Sequence, residues 1–277
     1  VTVVDPGPGS TLTTLIEGLK KLGHGVNDIE AVCLTHIHFD HAGATGELVA
    51  MNPDIRVYVH TVGARHMVSP ERLLASAKRL YGADFDRLWG RFLPVPEENI
   101  SALDGGESVQ LPGRTLAVAY APGHAKHHVS YLDELTGAAY TGDTAGCRVA
   151  PASYAFPPTP PPDIDVELWR QSIEVFRGWS PSVLVPTHFG WFEDVEDHLD
   201  SLERNLALVS KRVKASLDRG MTAEGGVEDF ATWHRQRLEA EGDEEMVRAY
   251  LQGAPPDACW HGLARYWRKR EELGPST

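Results

Sequence analysis

Residues 36–41 concentrate side chains that bind metal ions. Three imidazoles and one carboxylate fall within six positions of the segment His36-Ile37-His38-Phe39-Asp40-His41. The apolar segment 29–35 before them is typical of a strand, and alternate side chains of an extended chain share one face, so His36 and His38 can share one ion. Asp40 and His41 follow where the chain turns, and they can reach a second ion. Imidazole and carboxylate suit zinc and other divalent ions, whereas an ordinary polar loop would rarely be this dense in them.

Three further metal-binding side chains stand alone, each just after an apolar segment. His124 follows Tyr120-Ala121-Pro122-Gly123, Asp143 follows Tyr140-Thr141-Gly142, and His188 follows Val185-Pro186-Thr187. A single histidine at a strand end is more often structural. One loop does not supply enough ligands for two metal ions, however, and three such positions in succession would supply the additional ligands.

Strands alternate with helices up to about residue 190, and only helices follow. The periodicity predicts strands over 1–4, 29–35, 56–60, 115–120, 129–132, 138–141 and 183–185. It predicts helices over 12–22, 46–51, 61–93, 165–179, 193–217, 226–241, 243–252 and 257–271. This order indicates an α/β fold with sheets covered by helices. We expect a catalytic domain over 1–200 and a helical C-terminal extension over 201–277, whose aromatic side chains either pack on that domain or form a homodimer contact.

Composition narrows the classes of function. The formal net charge of −13 disfavours nucleic-acid binding, which needs the opposite sign. No apolar run approaches the roughly 20 residues that span a bilayer, and the first residues lack the basic and apolar segments of a signal peptide. The three cysteines are far apart and odd in number, which is typical of reduced thiols. We therefore expect a cytoplasmic protein that acts on a small molecule, without nucleic-acid or membrane partners.

In its motifs the sequence resembles the metallo-β-lactamase superfamily, particularly its glyoxalase II and lactonase-like branch. The resemblance covers about residues 1–200 and rests on these segments: Asp5-Pro6-Gly7, His36-Ile37-His38-Phe39-Asp40-His41, Pro122-Gly123-His124, Gly142-Asp143 and Thr187-His188. It implies an αββα sandwich with the metal site at the edge between the two sheets. It also implies one ion on His36, His38 and His124, a second ion on Asp40, His41 and His188, and Asp143 as the bridge between them.

The chemistry implied is hydrolysis at a pair of divalent ions, with zinc expected and manganese or iron as alternatives. Two ions that share a water lower its pKa, so that hydroxide can attack an electrophilic carbonyl or phosphorus near pH 7. Asp143 would anchor the metal pair, and Asp40 could also pass a proton to the leaving group. This hypothesis needs no serine or cysteine nucleophile.

The sequence departs from the family pattern at His127, which replaces the second glycine of Pro-Gly-His-x-x-Gly-His. We expect His127 to be a surface side chain. For His128 we predict a place behind the ligands, holding the site by hydrogen bonding. Asp5 either caps its own turn or supports residues 36–41, called the metal loop below, by hydrogen bonding as predicted for His128.

The pocket walls are harder to predict. Two long segments lie between the ligand motifs. Residues 61–93 contain Trp89 and Phe92, and the proline-rich residues 148–164 contain Tyr154 and Phe156. Such aromatic side chains would suit an acyl or other hydrophobic substrate. The alternative is that they belong to the core.

Three functions remain open at this point. The first is a binuclear hydrolase of an ester-like bond, such as a lactone or thioester. The second is a persulfide (sulfur) dioxygenase that holds a single iron on His36, His124 and Asp143. The third is a non-catalytic relative that binds a ligand, which a complete set of seven candidate ligands disfavours.

Overall fold

The structure is a computed structural model that describes residues 1–273, so the last four residues of the expected extension lie outside the described chain. The strands are β1 (Thr2–Val4), β2 (Ala31–Cys33), β3 (Arg56–His60), β4 (Ile100–Leu103), β5 (Ser108–Leu111), β6 (Arg114–Tyr120), β7 (Val129–Asp133), β8 (Ala138–Tyr140) and β9 (Val183–Val185). The α-helices are α1 (Leu12–Lys21), α2 (Phe39–Ala42), α3 (Thr45–Met51), α4 (Thr61–Val68), α5 (Glu71–Tyr81), α6 (Phe85–Trp89), α7 (Val166–Trp179), α8 (Val195–Asp218), α9 (Ala223–Glu239), α10 (Glu244–Gly253) and α11 (Pro256–Leu273).

The strands form two sheets, with the orders β1-β2-β3-β4 and β5-β6-β7-β8-β9. By their internal contacts the residues divide into two units, one with Val1–Tyr120 and His127–Leu135, the other with Ala121–Lys126 and Thr136 onward. Two sheets, helices between their strands and a run of helices at the C-terminal end confirm the predicted α/β sandwich.

The first unit contains the four-stranded sheet, in which every neighbouring pair is parallel. Parallel strands need crossover connections, and helices α1 to α6 lie in these connections. A strand covered on both faces is apolar throughout rather than alternating. Strand β2 fits this rule, because Ala31, Val32 and Cys33 are all buried.

The antiparallel strands β5, β6 and β7 complete the first unit. Their contact with the parallel sheet includes Tyr131 of β7, which is fully buried and donates a hydrogen bond from its hydroxyl to the carbonyl of Leu34 at 2.8 Å. Leu34 directly follows β2 and leads into the metal-binding segment. This hydrogen bond therefore ties the two sheets together just before the candidate ligands.

The second unit contains the parallel pair β8–β9 and helices α7 to α11. The aromatic side chains of the last helices pack inside this unit: Trp260 and Tyr250 are fully buried, and Trp267 Nε1 donates to the carbonyl of Ser210 at 3.0 Å. Helix α8 runs continuously from Val195 to Asp218 through the expected domain boundary at residue 200. The division into 1–200 and 201–277 therefore stays a prediction.

Most elements lie where the periodicity predicts them, and β3 and β9 match to the residue. The predicted helical segment 61–93 is instead three helices, because the chain turns at Pro70, Gly82 and Gly90, and the last two have positive φ. Strands β4 and β5 were not predicted. Each has only four residues, too few for a pattern to stand out from chance, although Val109 and Leu111 of β5 do alternate with polar residues.

The three cysteines are unpaired, buried thiols. Burial raises the pKa of Cys259 to about 11, and burial also raises the pKa values of Cys33 and Cys147 well above the ordinary range. These thiols therefore stay protonated at neutral pH. Within residues 1–273, no helix combines the length and the apolar character needed to cross a membrane.

Candidate metal centre

The first four candidate ligands lie in the loop between β2 and α2 and in α2 itself. The backbone of His38 is still extended and caps the short helix α2, which begins at Phe39. His36 Nε2 lies 2.9 Å from His38 Nδ1, and His41 Nε2 lies 3.7 Å from Asp40 Oδ2. His36 and His41 are fully buried, whereas His38 and Asp40 are partly exposed. This segment thus presents two pairs of donor atoms, each with one buried and one accessible member.

Asp5 holds the histidines of this segment in one orientation. Its carboxylate accepts hydrogen bonds from the Thr35 N–H at 2.8 Å and the Thr35 hydroxyl at 2.7 Å, and its Oδ2 lies 2.9 Å from His41 Nδ1. A carboxylate accepts, so His41 carries its proton on Nδ1 and leaves the Nε2 lone pair for a metal. The side chain of Asp5 therefore contacts the metal loop directly, as the second of its two predicted roles requires.

The same carboxylate orients His36 through Thr35. His36 Nδ1 lies 3.1 Å from the Thr35 hydroxyl oxygen, whose single proton is donated to Asp5. The hydroxyl can then only accept, so His36 also carries its proton on Nδ1 and offers Nε2. Thr35 is a functional position that sequence reasoning missed, since a threonine at the end of a strand is ordinary.

Asp143 lies between the two remaining histidines in the second unit. Its Oδ2 is 3.3 Å from His124 Nε2, and its Oδ1 is 3.4 Å from His188 Nε2. Asp143 and His124 are buried, while the side chain of His188 is 22% exposed. One carboxylate thus presents a separate oxygen to each imidazole, which is the arrangement expected of a group that bridges two ions.

His124 is positioned by the turn before it and by a distant carbonyl. Gly123 has φ +128°, and a Cβ there would lie 2.4 Å from the backbone Cα of Trp169, so no other residue fits this turn. His124 Nδ1 lies 2.9 Å from the carbonyl oxygen of Pro158. Because a carbonyl can only accept, His124 also keeps its proton on Nδ1 and directs Nε2 towards Asp143. Pro158 acts through its backbone, so no sequence signal could have found it.

Two groups of side chains among the described residues could each hold a metal ion. Within a group, all ligand atoms lie within 4.8 Å of one another: His36, His38, His124 and Asp143 in the first, and Asp40, His41 and His188 in the second. Metal–ligand bonds of about 2.1 Å place neighbouring donor atoms about 3.0–3.4 Å apart. The separations of 3.3 and 3.4 Å at Asp143 lie within this range, the 2.9 Å between His36 and His38 lies just below it, and the 3.7 Å between His41 and Asp40 lies just above it. The donor set therefore fits divalent metal ions in both chemistry and geometry.

The family to which the chain is similar is consistent with a metal site formed by these residues. The sequence profile of the metallo-β-lactamase superfamily matches residues 1–188, a span that includes all seven candidate ligands. The chain belongs to the metallo-β-lactamase superfamily. Members of this superfamily are in general metal-dependent hydrolases, although it also contains proteins with other functions.

The names of the proteins similar to this chain indicate several different functions. A metallo-β-lactamase fold-containing protein of Sulfurisphaera tokodaii is 27% identical over 204 residues, covering 72% of this chain and 74% of that protein. A hydroxyacylglutathione hydrolase of Synechococcus sp. (strain JA-2-3B'a(2-13)) is 30% identical over 148 residues, which are 52% of this chain and only 45% of that enzyme. The crystal structure of a metallo-β-lactamase family protein from Thermus thermophilus has a TM-score of 0.69 at 22% identity, covering 96% of this chain and 84% of the other.

Two more histidines lie against the ligands. The fully buried His128 packs with its ring centroid 5.0 Å from that of His36. His127 is not the surface side chain we predicted: it is partly buried, its ring centroid lies 5.5 Å from that of His38, and its Nδ1 accepts from the Ile37 N–H at 3.4 Å. The prediction for His127 was wrong because β7 begins at Val129 and holds the preceding residues against the metal loop.

The four aromatic side chains suggested for the substrate pocket are packed against other side chains. Phe92 is buried, and the rings of Phe92 and Trp89 lie 5.2 and 5.9 Å from that of Phe39. Tyr154 and Phe156 are buried in the second unit. All four therefore contribute to cores, and a role in substrate binding stays a prediction.

Proposed function

We propose that the protein is a hydrolase with two divalent metal ions that cleaves an ester-like bond, such as that of a lactone or thioester. The observation that carries the proposal is the position of Asp143, which presents one carboxylate oxygen to His124 and the other to His188. A carboxylate shared in this way supports two neighbouring ions rather than one. The name of the Synechococcus relative, a hydrolase, supports the reaction class.

The ions, when bound, supply a Lewis acid for the substrate oxygen and lower the pKa of water towards neutrality. The side chains around them have distinct tasks. His36, His41 and His124 each carry a proton on Nδ1 and offer Nε2, so the site is organised before an ion arrives. Preorganised ligands reduce the reorganisation that binding and reaction require.

Asp40 is suited to handle the proton of the leaving group. Its side chain is 35% exposed, whereas the side chain of the bridging Asp143 is 7% exposed. A carboxylate that is open to solvent can take up the proton that the attacking water loses and pass it to a departing oxygen or sulfur. The buried thiols of Cys33, Cys147 and Cys259 remain protonated, so a cysteine nucleophile is disfavoured.

Metal content is the first test. We expect elemental analysis of protein purified without added metal to find about two zinc or manganese ions per chain. The metal-loaded protein should then hydrolyse members of a panel of lactones, thioesters and aryl esters. About one iron per chain, with oxygen uptake in the presence of a persulfide, would instead support the dioxygenase. Two bound ions without turnover of any ester would support the non-catalytic relative.

Paired substitutions separate the metal site from general stability. We expect Asp143→Ala and His38→Ala to lose metal and hydrolysis together. The matched controls are Asp197→Ala and His24→Ala, which remove an exposed carboxylate and an exposed imidazole outside both ligand groups. Full activity in a metal-free Asp143→Ala protein would refute the proposal.

A further inference from the structure

The residues that directly follow His188 expose two large aromatic rings. Phe189 is 42% exposed and Trp191 is 61% exposed, and Gly190 lies between them. Exposed aromatic side chains on a ligand-bearing loop differ from scattered surface leucines, because aromatic rings of this kind are enriched where proteins bind other molecules. We call residues 189–191 the aromatic loop.

The backbone of the aromatic loop is held in an unfavourable conformation. Phe189 has φ +66°, in the left-handed region that a bulky side chain rarely adopts. Strained residues of this kind persist where the surrounding structure holds them, and they cluster at ligand-binding positions. The ring of Phe189 rests on Gly253 at the end of α10, where a Cβ would lie 2.9 Å from Phe189 Cε2. One edge of the ring is thus supported while much of it remains accessible.

The loop is fixed at both ends and lies next to a candidate ligand. Leu184 of β9 and Phe192 exchange two backbone hydrogen bonds of 2.9 Å, which close the segment that contains His188. The guanidinium of Arg148 lies 4.6 Å from the centre of the Phe192 ring and supports this closure. The ring centroids of Phe189 and His188 are 6.1 Å apart. An apolar group attached to a bond undergoing cleavage at His188 could therefore reach the Phe189 ring.

We propose that Phe189 of the aromatic loop binds the apolar part of the substrate, so that the preferred substrate carries a medium-length alkyl or aromatic acyl group. This inference rests on the proposed hydrolase function and specifies its substrate class. The side chains suggested earlier for this role, Tyr154 and Phe156, are buried in the second unit, whereas the two rings of the aromatic loop are accessible.

Substitution by glycine separates binding from folding. Phe189→Gly removes the ring and the strain at positive φ, but it also loses the contact of the ring with Gly253 and makes the unfolded chain more flexible. Because these effects oppose each other, we expect the melting temperature to change little. We expect kcat/KM for a hexanoyl or benzoyl thioester to fall about ten-fold, while kcat/KM for the acetyl thioester stays unchanged. Leu135→Gly, at an exposed apolar side chain in a different turn, is the matched control and should change neither value.

Binding of the product acids gives a readout independent of turnover. Calorimetry on metal-loaded protein should show tighter binding of hexanoate than of acetate, and Phe189→Gly should abolish the difference. Equal loss of affinity for both acids, or an unchanged preference for hexanoate, would overturn the inference. A dimer that dissociates on Trp191→Ser, without any preference for hexanoate, would also overturn it and would assign the aromatic loop to self-association. If no ester is hydrolysed but hexanoate is preferred, the hydrolase proposal fails while the binding role stands.

Discussion

Replacing Asp5 by asparagine tests whether one buried carboxylate controls the ligands of both metal groups. The substitution Asp5→Asn keeps the size of the side chain, and asparagine tolerates the left-handed φ of +48° at this position. The new amide oxygen could still accept from the Thr35 N–H. The new NH₂ group, however, would replace the oxygen that accepts from the Thr35 hydroxyl and from His41 Nδ1.

The loss follows from these contacts. The Thr35 hydroxyl and His41 each lose a hydrogen bond to a charged acceptor and must reorient towards a neutral NH₂ donor, so we expect the free energy of unfolding of the metal-free protein to fall by about 1–3 kcal/mol. His41 would then favour the tautomer with its proton on Nε2, the atom that faces Asp40. Because a protonated nitrogen cannot bind a metal, we expect metal affinity to fall about 10–100-fold. The first ligand group, which contains His36, should also bind its metal ion more weakly, because Asp5 orients His36 through the Thr35 hydroxyl.

Zinc affinity is measured by competition with a chromophoric chelator, which resolves the two binding steps. Asp197→Asn is the matched control, since Asp197 is an exposed aspartate outside both ligand groups. If Asp5→Asn binds both ions as tightly as the wild type, Asp5 only caps its own turn, and the reasoning about tautomers is wrong. Asp5→Ala should be less stable still, because alanine accepts none of these hydrogen bonds and disfavours a positive φ.

Three other substitutions test separate parts of the structure. Burial, with a smaller effect of Arg237, lowers the pKa of His234 from 6.5 to about 4. Because the pKa is lower in the folded state than in the unfolded state, neutral His234 stabilises the fold above pH 6.5. This stabilisation is lost as the pH falls towards 4. Urea unfolding at pH 7 and pH 4 should show that wild type loses about 3 kcal/mol more than His234→Leu, and equal losses would contradict this assignment. Gly123→Ala should lower stability by about 2–4 kcal/mol and weaken metal binding, because its Cβ would meet the backbone of Trp169 at 2.4 Å; a normal melting temperature would show that the turn relaxes. Tyr131→Phe removes the hydroxyl that donates to the carbonyl of Leu34 and should reduce the free energy of unfolding by about 1 kcal/mol in denaturant titrations, whereas an unchanged midpoint would mean that this link contributes nothing.

Much of the fold could be predicted because its signals are local. The segments that became β2 and β3 follow turn residues, β9 is flanked by prolines, and the periodicity of α7 and α8 is visible without a partner. Strands β4 and β5 have only four residues each, which is too short for their patterns to be distinguished from chance. They exist because β3 and β6 offer them unpaired backbone groups, and such pairing depends on residues distant in the sequence.

The candidate ligands were predictable for a related reason. Metal binding needs particular side chains, and the candidate ligands are histidines and aspartates close to a predicted strand end or turn, which is where the structure has them. Their contacts were not predictable in the same way. Whether His127 lies on the surface or beside His38 depends on where β7 carries the chain, and the prediction from the sequence was wrong.

The sequence by itself determined the superfamily, the α/β sandwich and the set of side chains available to hold metal, because these depend on residue types and their order. Only the tertiary structure decided how those side chains are oriented. The carboxylate of Asp5 acts over a separation of 36 residues on His41, and the carbonyl of Pro158 acts over 34 residues on His124. A backbone carbonyl has no signature in the sequence, and neither does the positive φ of Phe189 in a segment closed by the hydrogen bonds between Leu184 and Phe192, so these features arise only when the chain is folded.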